Sequence, residues 1–235
     1  MARAVVAAAG RSTRMGEGVD KQLLLLAGRP VLVYSLAVLE ECTAVVEYVV
    51  VAQPEETEKI YRLAREEWGC RKLAAVVPGG ETRQESVFKG LCALPGDTQL
   101  VVVHDGARPF VSVELVNRVI AEAALWGAAV PAVPVKETVK KAAGSFVAAT
   151  VSREGLWLAQ TPQAFSYRLL REAHLRAKKD KAAATDDAAL VEAMGARVRI
   201  VEGSNLNIKI TTPEDLVVAR AVAAALRGEA AGARP

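Results

Sequence analysis

Two histidines, three cysteines and a 5% share of aromatic residues are sparse chemistry for 235 positions, and the gaps narrow the reading. Cys42, Cys70 and Cys92 are odd in number and form no C-x-x-C pair. That pattern suggests neither a disulfide framework nor a zinc site, and three reduced thiols in a reducing cytoplasm are expected. His104 and His174 fit no Ser-His-Asp order, so triad hydrolysis is not indicated. The lysines and arginines form no dense stripe with interleaved aromatics, which argues against nucleic acid as a partner. No apolar stretch reaches the roughly 20 residues that a membrane-spanning helix needs. Met1-Ala2-Arg3 ahead of Ala4 to Ala9 imitates a secretion signal, but the run is too short and leads into a basic loop. Two phosphate-binding fingerprints are missing as well. Gly10-Arg11-Ser12 fails G-x-G-x-x-G at its second glycine. Gly10 and Gly16 are one residue too far apart for a P-loop, and Glu17 stands where the lysine belongs.

What is present describes a globular chain: 51% hydrophobic, 24% charged, net charge +3. Its length supports one large core without staples. Residues 1–227 are expected to form one domain, with 228–235 as a disordered tail. Apolar runs at Arg3–Ala9, Tyr48–Ala52, Leu73–Val77, Leu100–Val103, Ala128–Val133 and Arg197–Val201 read as strands. Helical patterns lie between most of them, from Val31, Pro54, Thr82, Ser112 and Tyr167, with a further helix capped by Thr185 and a last one from Pro213. Continuous apolar strands alternating with helices predict an α/β fold with a doubly wound, mostly parallel, Rossmann-like sheet. Three polar or glycine-rich stretches each follow a strand: from Gly10, from Pro78 to Glu85, and from His104 to Pro109. In such a sheet they converge on the carboxyl edge, where nucleotides bind. Residues 135–152 break the alternation and read as a protruding β-hairpin arm around Ala142-Ala143-Gly144-Ser145. A lone hairpin is marginal in water, so a second subunit is expected to cover it, giving a homodimer.

AAGRSTRM followed by DKQ resembles the signature of the sugar- and polyol-phosphate nucleotidyltransferases. PGGETRQESV, VHDGARPF, TVSREGLW, AQTPQAF, TDDA and NIKIT, in that order, are similar to the cytidylyltransferase branch that acts on methylerythritol phosphate. The resemblance implies attack of the acceptor phosphate on the α-phosphorus of CTP, with pyrophosphate leaving and Mg²⁺ on the triphosphate, as a step in non-mevalonate isoprenoid synthesis. It implies that Arg14 and Lys21 stabilise the pentacoordinate phosphorus. Ala8, Ala9, Gly10, Arg11, Ser12 and Thr13 would wrap the nucleotide, and Gly80, Glu81 and Ser86 would read cytosine. Asp105 would meet the metal or the ribose, and Gly106 and Ala107 would lie against the ribose. Arg153 and Lys209 would hold the polyol phosphate, helped by Arg108, Thr138, Thr161 and Thr185. Arg153 and Thr138 flank the hairpin and so would reach a neighbouring subunit's site. Members often carry glycine where Ser12 stands, proline at Asp20 and aspartate at Glu81. The alternatives are a ribitol-5-phosphate cytidylyltransferase and a non-catalytic nucleotide-binding module. The former opens Ala-Gly-Gly where this chain has Ala8-Ala9-Gly10. The sequence ends soon after its last expected helix, and no fused second enzyme is expected.

Overall fold

A computed structural model describes residues 1–10, 22–226 and 228. In chain order it forms β1 (Ala2–Ala7), the two-residue strands β2 (Leu25–Leu26) and β3 (Arg29–Pro30), α1 (Val31–Glu41), β4 (Val45–Ala52) and α2 (Thr57–Arg62). Next come β5 (Leu73–Pro78), α3 (Arg83–Ala93), β6 (Leu100–Asp105), α4 (Val113–Trp126) and β7 (Ala128–Pro134). The hairpin strands β8 (Val139–Ala143) and β9 (Phe146–Val151) follow, then β10 (Trp157–Ala159) and β11 (Gln163–Ser166). The chain continues with α5 (Tyr167–Asp180), α6 (Asp187–Glu192), β12 (Arg199–Glu202) and α7 (Pro213–Leu226).

The central sheet runs β10-β7-β11-β6-β1-β4-β5, with β12 also paired to β7. Strands β1, β4, β5 and β6 are parallel, as the alternation predicts. β11 lies antiparallel between β6 and β7, and β10 lies antiparallel on β7. Sequence reading takes both of these segments as motifs and not as strands. Each is too short for period-2 patterning to register, and neighbouring strands impose the pairing.

Both faces of the sheet are covered, so β1 is apolar throughout residues 4–7, with Arg3 near its start paired to Glu47. Ala4 and Val6 point into one core with Leu32, Leu36, Tyr48 and Val119. Val5 points into the other with Val87, Leu91, Phe165 and Leu170. Helix α3 lies so close to the sheet that a Cβ at Gly90 would stand 2.4 Å from Val5 Cγ1. Helix ends are set by side chains: the Ser112 hydroxyl accepts the Leu115 N–H at 3.2 Å and starts α4. The cap of α6 falls one residue later than expected. Asp186, not Thr185, accepts the Ala189 N–H at 3.0 Å, and Gln163 fixes the same carboxylate through a 2.7 Å bond. β8 and β9 form their own two-stranded sheet, with Phe146 81% exposed and Val147 65% exposed. Among the described residues, no helix is long and apolar enough to cross a membrane.

Candidate active site

The loops after β1, β5 and β6 meet around a cleft of about 1080 Å³. Ala9 and Gly10 come from the first loop, Gly79 to Glu81 from the second, and Asp105 and Ala107 from the third. The first two loops touch at Gly79, where a Cβ would lie 2.4 Å from the Ala9 Cβ and 2.9 Å from the Ser86 hydroxyl. Only glycine fits that approach.

The second loop is held by the start of α3. Thr82 Oγ1 accepts the Glu85 N–H at 3.1 Å, and the Glu85 carboxylate accepts the Glu81 N–H at 2.9 Å. These are the reciprocal bonds of a capping box, displaced by one residue. Ser86 Oγ accepts the Gly80 N–H at 3.0 Å and donates to the Thr82 carbonyl at 2.8 Å. The Lys89 ammonium donates to the Gly79 carbonyl at 2.7 Å.

Asp105, at the end of β6, is the hub of the floor. Its Oδ1 accepts from Arg83 Nε at 3.1 Å, and its Oδ2 from Lys209 Nζ at 2.7 Å. Arg108 Nε stands 3.8 Å from Oδ2. Burial alone would raise this carboxyl's pKa, but Arg83 and Lys209 outweigh it and hold the group well below the usual carboxylate range. Behind it, burial pushes the His104 imidazole down to about 4. The ring is therefore neutral near pH 7. Its Nε2 faces the Arg108 carbonyl at 3.3 Å and must carry the proton, leaving Nδ1 to accept from the Thr161 hydroxyl at 3.0 Å. That hydroxyl in turn accepts the Asp105 N–H at 3.0 Å.

Lys209 reaches the cleft on a loop clamped from beneath. Gln160 donates to the Ser204 carbonyl at 2.8 Å, and Asn207 Nδ2 donates to the Thr161 carbonyl at 2.8 Å. Arg108 Nη1 donates to the Asn207 carbonyl at 2.7 Å. The Ile210 N–H closes the loop on Ala107 O at 2.9 Å, and residues 205–211 form a loop.

The structure thus brings Ala9, Gly10, Gly80, Glu81, Ser86, Asp105, Ala107 and Lys209 to one cleft. Ala8 is buried beneath it, its N–H on Val51 O at 2.8 Å. Gly106 packs against Leu32 and Gln22, behind the lining. Arg108 and Thr161 brace the floor from within. Thr138, Arg153 and Thr185 are exposed and do not line the cleft; Arg153 Nη1 donates to the Lys136 carbonyl. Arg11, Ser12, Thr13, Arg14 and Lys21 lie outside the described residues.

Sequence reasoning missed Arg83 and Lys89, which both line the cleft. A signal for Arg83 existed. A cation in the first turn of a helix opposes the helix dipole and needs an acid to hold it there.

A sequence model of the family described as IspD, 2-C-methyl-D-erythritol 4-phosphate cytidylyltransferase, matches residues 2–225. The chain is 56% identical over 232 residues to the 2-C-methyl-D-erythritol 4-phosphate cytidylyltransferase of Pelotomaculum thermopropionicum, a match covering 98% of this chain and 97% of that one. Among solved structures, it is 39% identical to the same-named enzyme of Thermus thermophilus, with a TM-score of 0.77 over 93% of this chain and 97% of that one. The 4-diphosphocytidyl-2C-methyl-D-erythritol synthase of Anaerococcus prevotii gives 32% identity and a TM-score of 0.82, over 93% and 94% of the two chains.

Proposed function

The chain belongs to the 2-C-methyl-D-erythritol 4-phosphate cytidylyltransferase family, and from that premise we infer that it transfers CMP from CTP to 2-C-methyl-D-erythritol 4-phosphate and releases pyrophosphate, a step of isoprenoid synthesis. One observation carries the reading at the level of the molecule. Three loops from the carboxyl ends of parallel strands meet over the buried Asp105 carboxylate, which Arg83 and Lys209 hold. The names borne by these relatives favour methylerythritol phosphate over ribitol phosphate as the acceptor, and an enzyme over a silent nucleotide-binding module.

In this reaction a phosphate oxygen of the acceptor attacks the α-phosphorus while the bond to pyrophosphate breaks. The transition state spreads negative charge over oxygens, so positioned cations do most of the work. Arg14 and Lys21 are proposed to face the α-phosphate, with Arg11, Ser12 and Thr13 around the phosphates. Lys209, with one ammonium proton committed to Asp105, keeps two for the acceptor phosphate. Ala9 and Gly10 bring backbone close to the nucleotide, and the Gly80–Glu81 backbone reads the cytosine edge. Ser86 acts on that edge through the Gly80 amide that it holds. Thr161 and Arg108 serve the acceptor by fixing the floor and the Lys209 loop.

Mg²⁺ suits this cleft as an ion carried by the triphosphate. It takes oxygen ligands, keeps waters and needs only one or two carboxylates. Asp105 is the buried carboxylate at the floor, and among the described residues no cluster of three His, Cys, Asp or Glu could hold a metal. With Asp105 and the triphosphate oxygens, the ion would neutralise charge on the departing pyrophosphate. Arg153 and Thr138 flank the hairpin, and Phe146 and Val147 on it are exposed apolar side chains, one on each face of the two strands. A second copy of the chain packed around the hairpin would bring Arg153 and Thr138 to this cleft, with Thr185 at its edge.

Pyrophosphate release with CTP, Mg²⁺ and each polyol phosphate in turn tests the reading. Release is expected with methylerythritol phosphate and not with ribitol 5-phosphate. CTP binding without release for any acceptor would leave a binding module instead. Lys21→Ala is expected to lose most turnover with an unchanged circular dichroism spectrum.

A further inference from the structure

Arg83 joins two acids that the sequence keeps far apart. Its Nε donates to Asp105 Oδ1 at 3.1 Å, and its Nη1 to Asp187 Oδ2 at 2.8 Å across 104 positions. Asp187 Oδ1 faces His174 Nε2 at 3.1 Å, and the imidazole is stacked on Phe88 at 5.8 Å. The next residue, Gln84, ties the same far segment through the Ala182 carbonyl and the Ala184 N–H, each at 3.2 Å. The first turn of α3 therefore clamps residues 182–187 to the floor of the cleft.

The acids are buried, with side-chain exposures of 8% for Asp105 and 1% for Asp187. A buried ion network is an expensive way to hold a fold, because desolvation offsets the attraction. What it supplies here is geometry. With Oδ1 occupied by Arg83, Oδ2 is the oxygen left to face Lys209. We propose that Arg83 is a positioning residue of the transfer reaction. Its fork fixes the Asp105 carboxylate, and through it the Lys209 ammonium, at one distance from residues 185–187. A lysine keeps the charge but cannot bridge two acids. The proposal rests on the reading that Lys209 holds the acceptor phosphate.

The test is steady-state kinetics of Arg83→Lys, Asp187→Asn and the double variant, with CTP affinity measured by calorimetry in the absence of acceptor. Arg83→Lys is expected to raise KM for methylerythritol phosphate and to lower kcat, about 100-fold together in kcat/KM, as misplacement of a positioning group by an ångström does. CTP affinity should fall far less than kcat/KM. The double variant should be no worse than Arg83→Lys alone, because both break one bridge. Multiplicative losses in the double variant would overturn the proposal. So would a loss of CTP affinity as large as the kinetic loss, or a lowered melting temperature with acceptor KM unchanged. Lys209→Ala, run alongside, separates the two readings: an unchanged acceptor KM there removes Lys209 from the acceptor. A raised KM there with wild-type kinetics in Arg83→Lys removes Arg83.

Discussion

Asp105 is buried and meets Arg83, Arg108 and Lys209, which arrive from α3, from the turn after β6 and from the loop before α7. Among the described residues the β8–β9 hairpin pairs only with itself, and Phe146 and Val147 on it are exposed. The floor is defined within one chain, by ionic and hydrogen-bonded contacts that over-determine each position. The hairpin is defined only as a pair of strands, with exposed apolar side chains on it. The residues assigned to the second substrate divide along the same line. Lys209, Arg108 and Thr161 belong to the floor, while Thr138 and Arg153 stand beside the hairpin.

The contrast can be broken most decisively at its centre. Asp105→Asn leaves three cations around a neutral amide. It is expected to lower kcat/KM about 1000-fold and to cost about 3–5 kcal/mol in urea unfolding. Near-wild-type values in both would mean that the floor is not organised by this carboxylate. Phe146→Asp combined with Val147→Asp attacks the other region. Sedimentation should shift from dimer to monomer, and kcat/KM should fall about 100-fold while the urea midpoint hardly moves. A wild-type chain that sediments as a monomer would end the proposal of a covering subunit.

pH separates the regions next. The unfolded His104 binds a proton below its ordinary 6.5, whereas the folded, buried ring does so only below about 4. Stability from this group is complete above pH 6.5 and is lost as pH falls toward 4, by up to about 3 kcal/mol. Asp105 and Asp187 are both held below the usual carboxylate range despite burial, so their contributions fade at lower pH still. Urea unfolding across pH 4 to 7 should show this slope, His104→Gln should flatten it, and the hairpin variant should keep it. The smallest effect is a control. Ser112→Ala removes the cap of α4, away from both regions, and should cost about 1 kcal/mol with unchanged kinetics.

Much of this was legible in the chain itself. Strands buried on both faces must be continuously apolar, and β1, β4 and β6 each carry such a run, at residues 4–7, 48–52 and 100–103. The loops that follow β1, β5 and β6 carry their glycines and acids in the sequence, and so the cleft was expected where it lies. The hairpin announced itself by its turn and its short strands. The cap at Asp186 was missed because Thr185 is an equally good capping type. Only the contact to Gln163 decides between them.

The sequence by itself determined the α/β alternation, the edge at which the loops gather and the chemistry gathered there. These depend on patterns a few residues long, which local sterics and burial translate directly into structure. The tertiary structure alone decided that β11 runs antiparallel between β6 and β7, and that Thr161 and His104 brace the floor from behind. It alone decided that Arg83 spans Asp105 and Asp187. Each of these joins segments far apart in the chain, and the partner is chosen by where the packed core delivers it, which no local window contains.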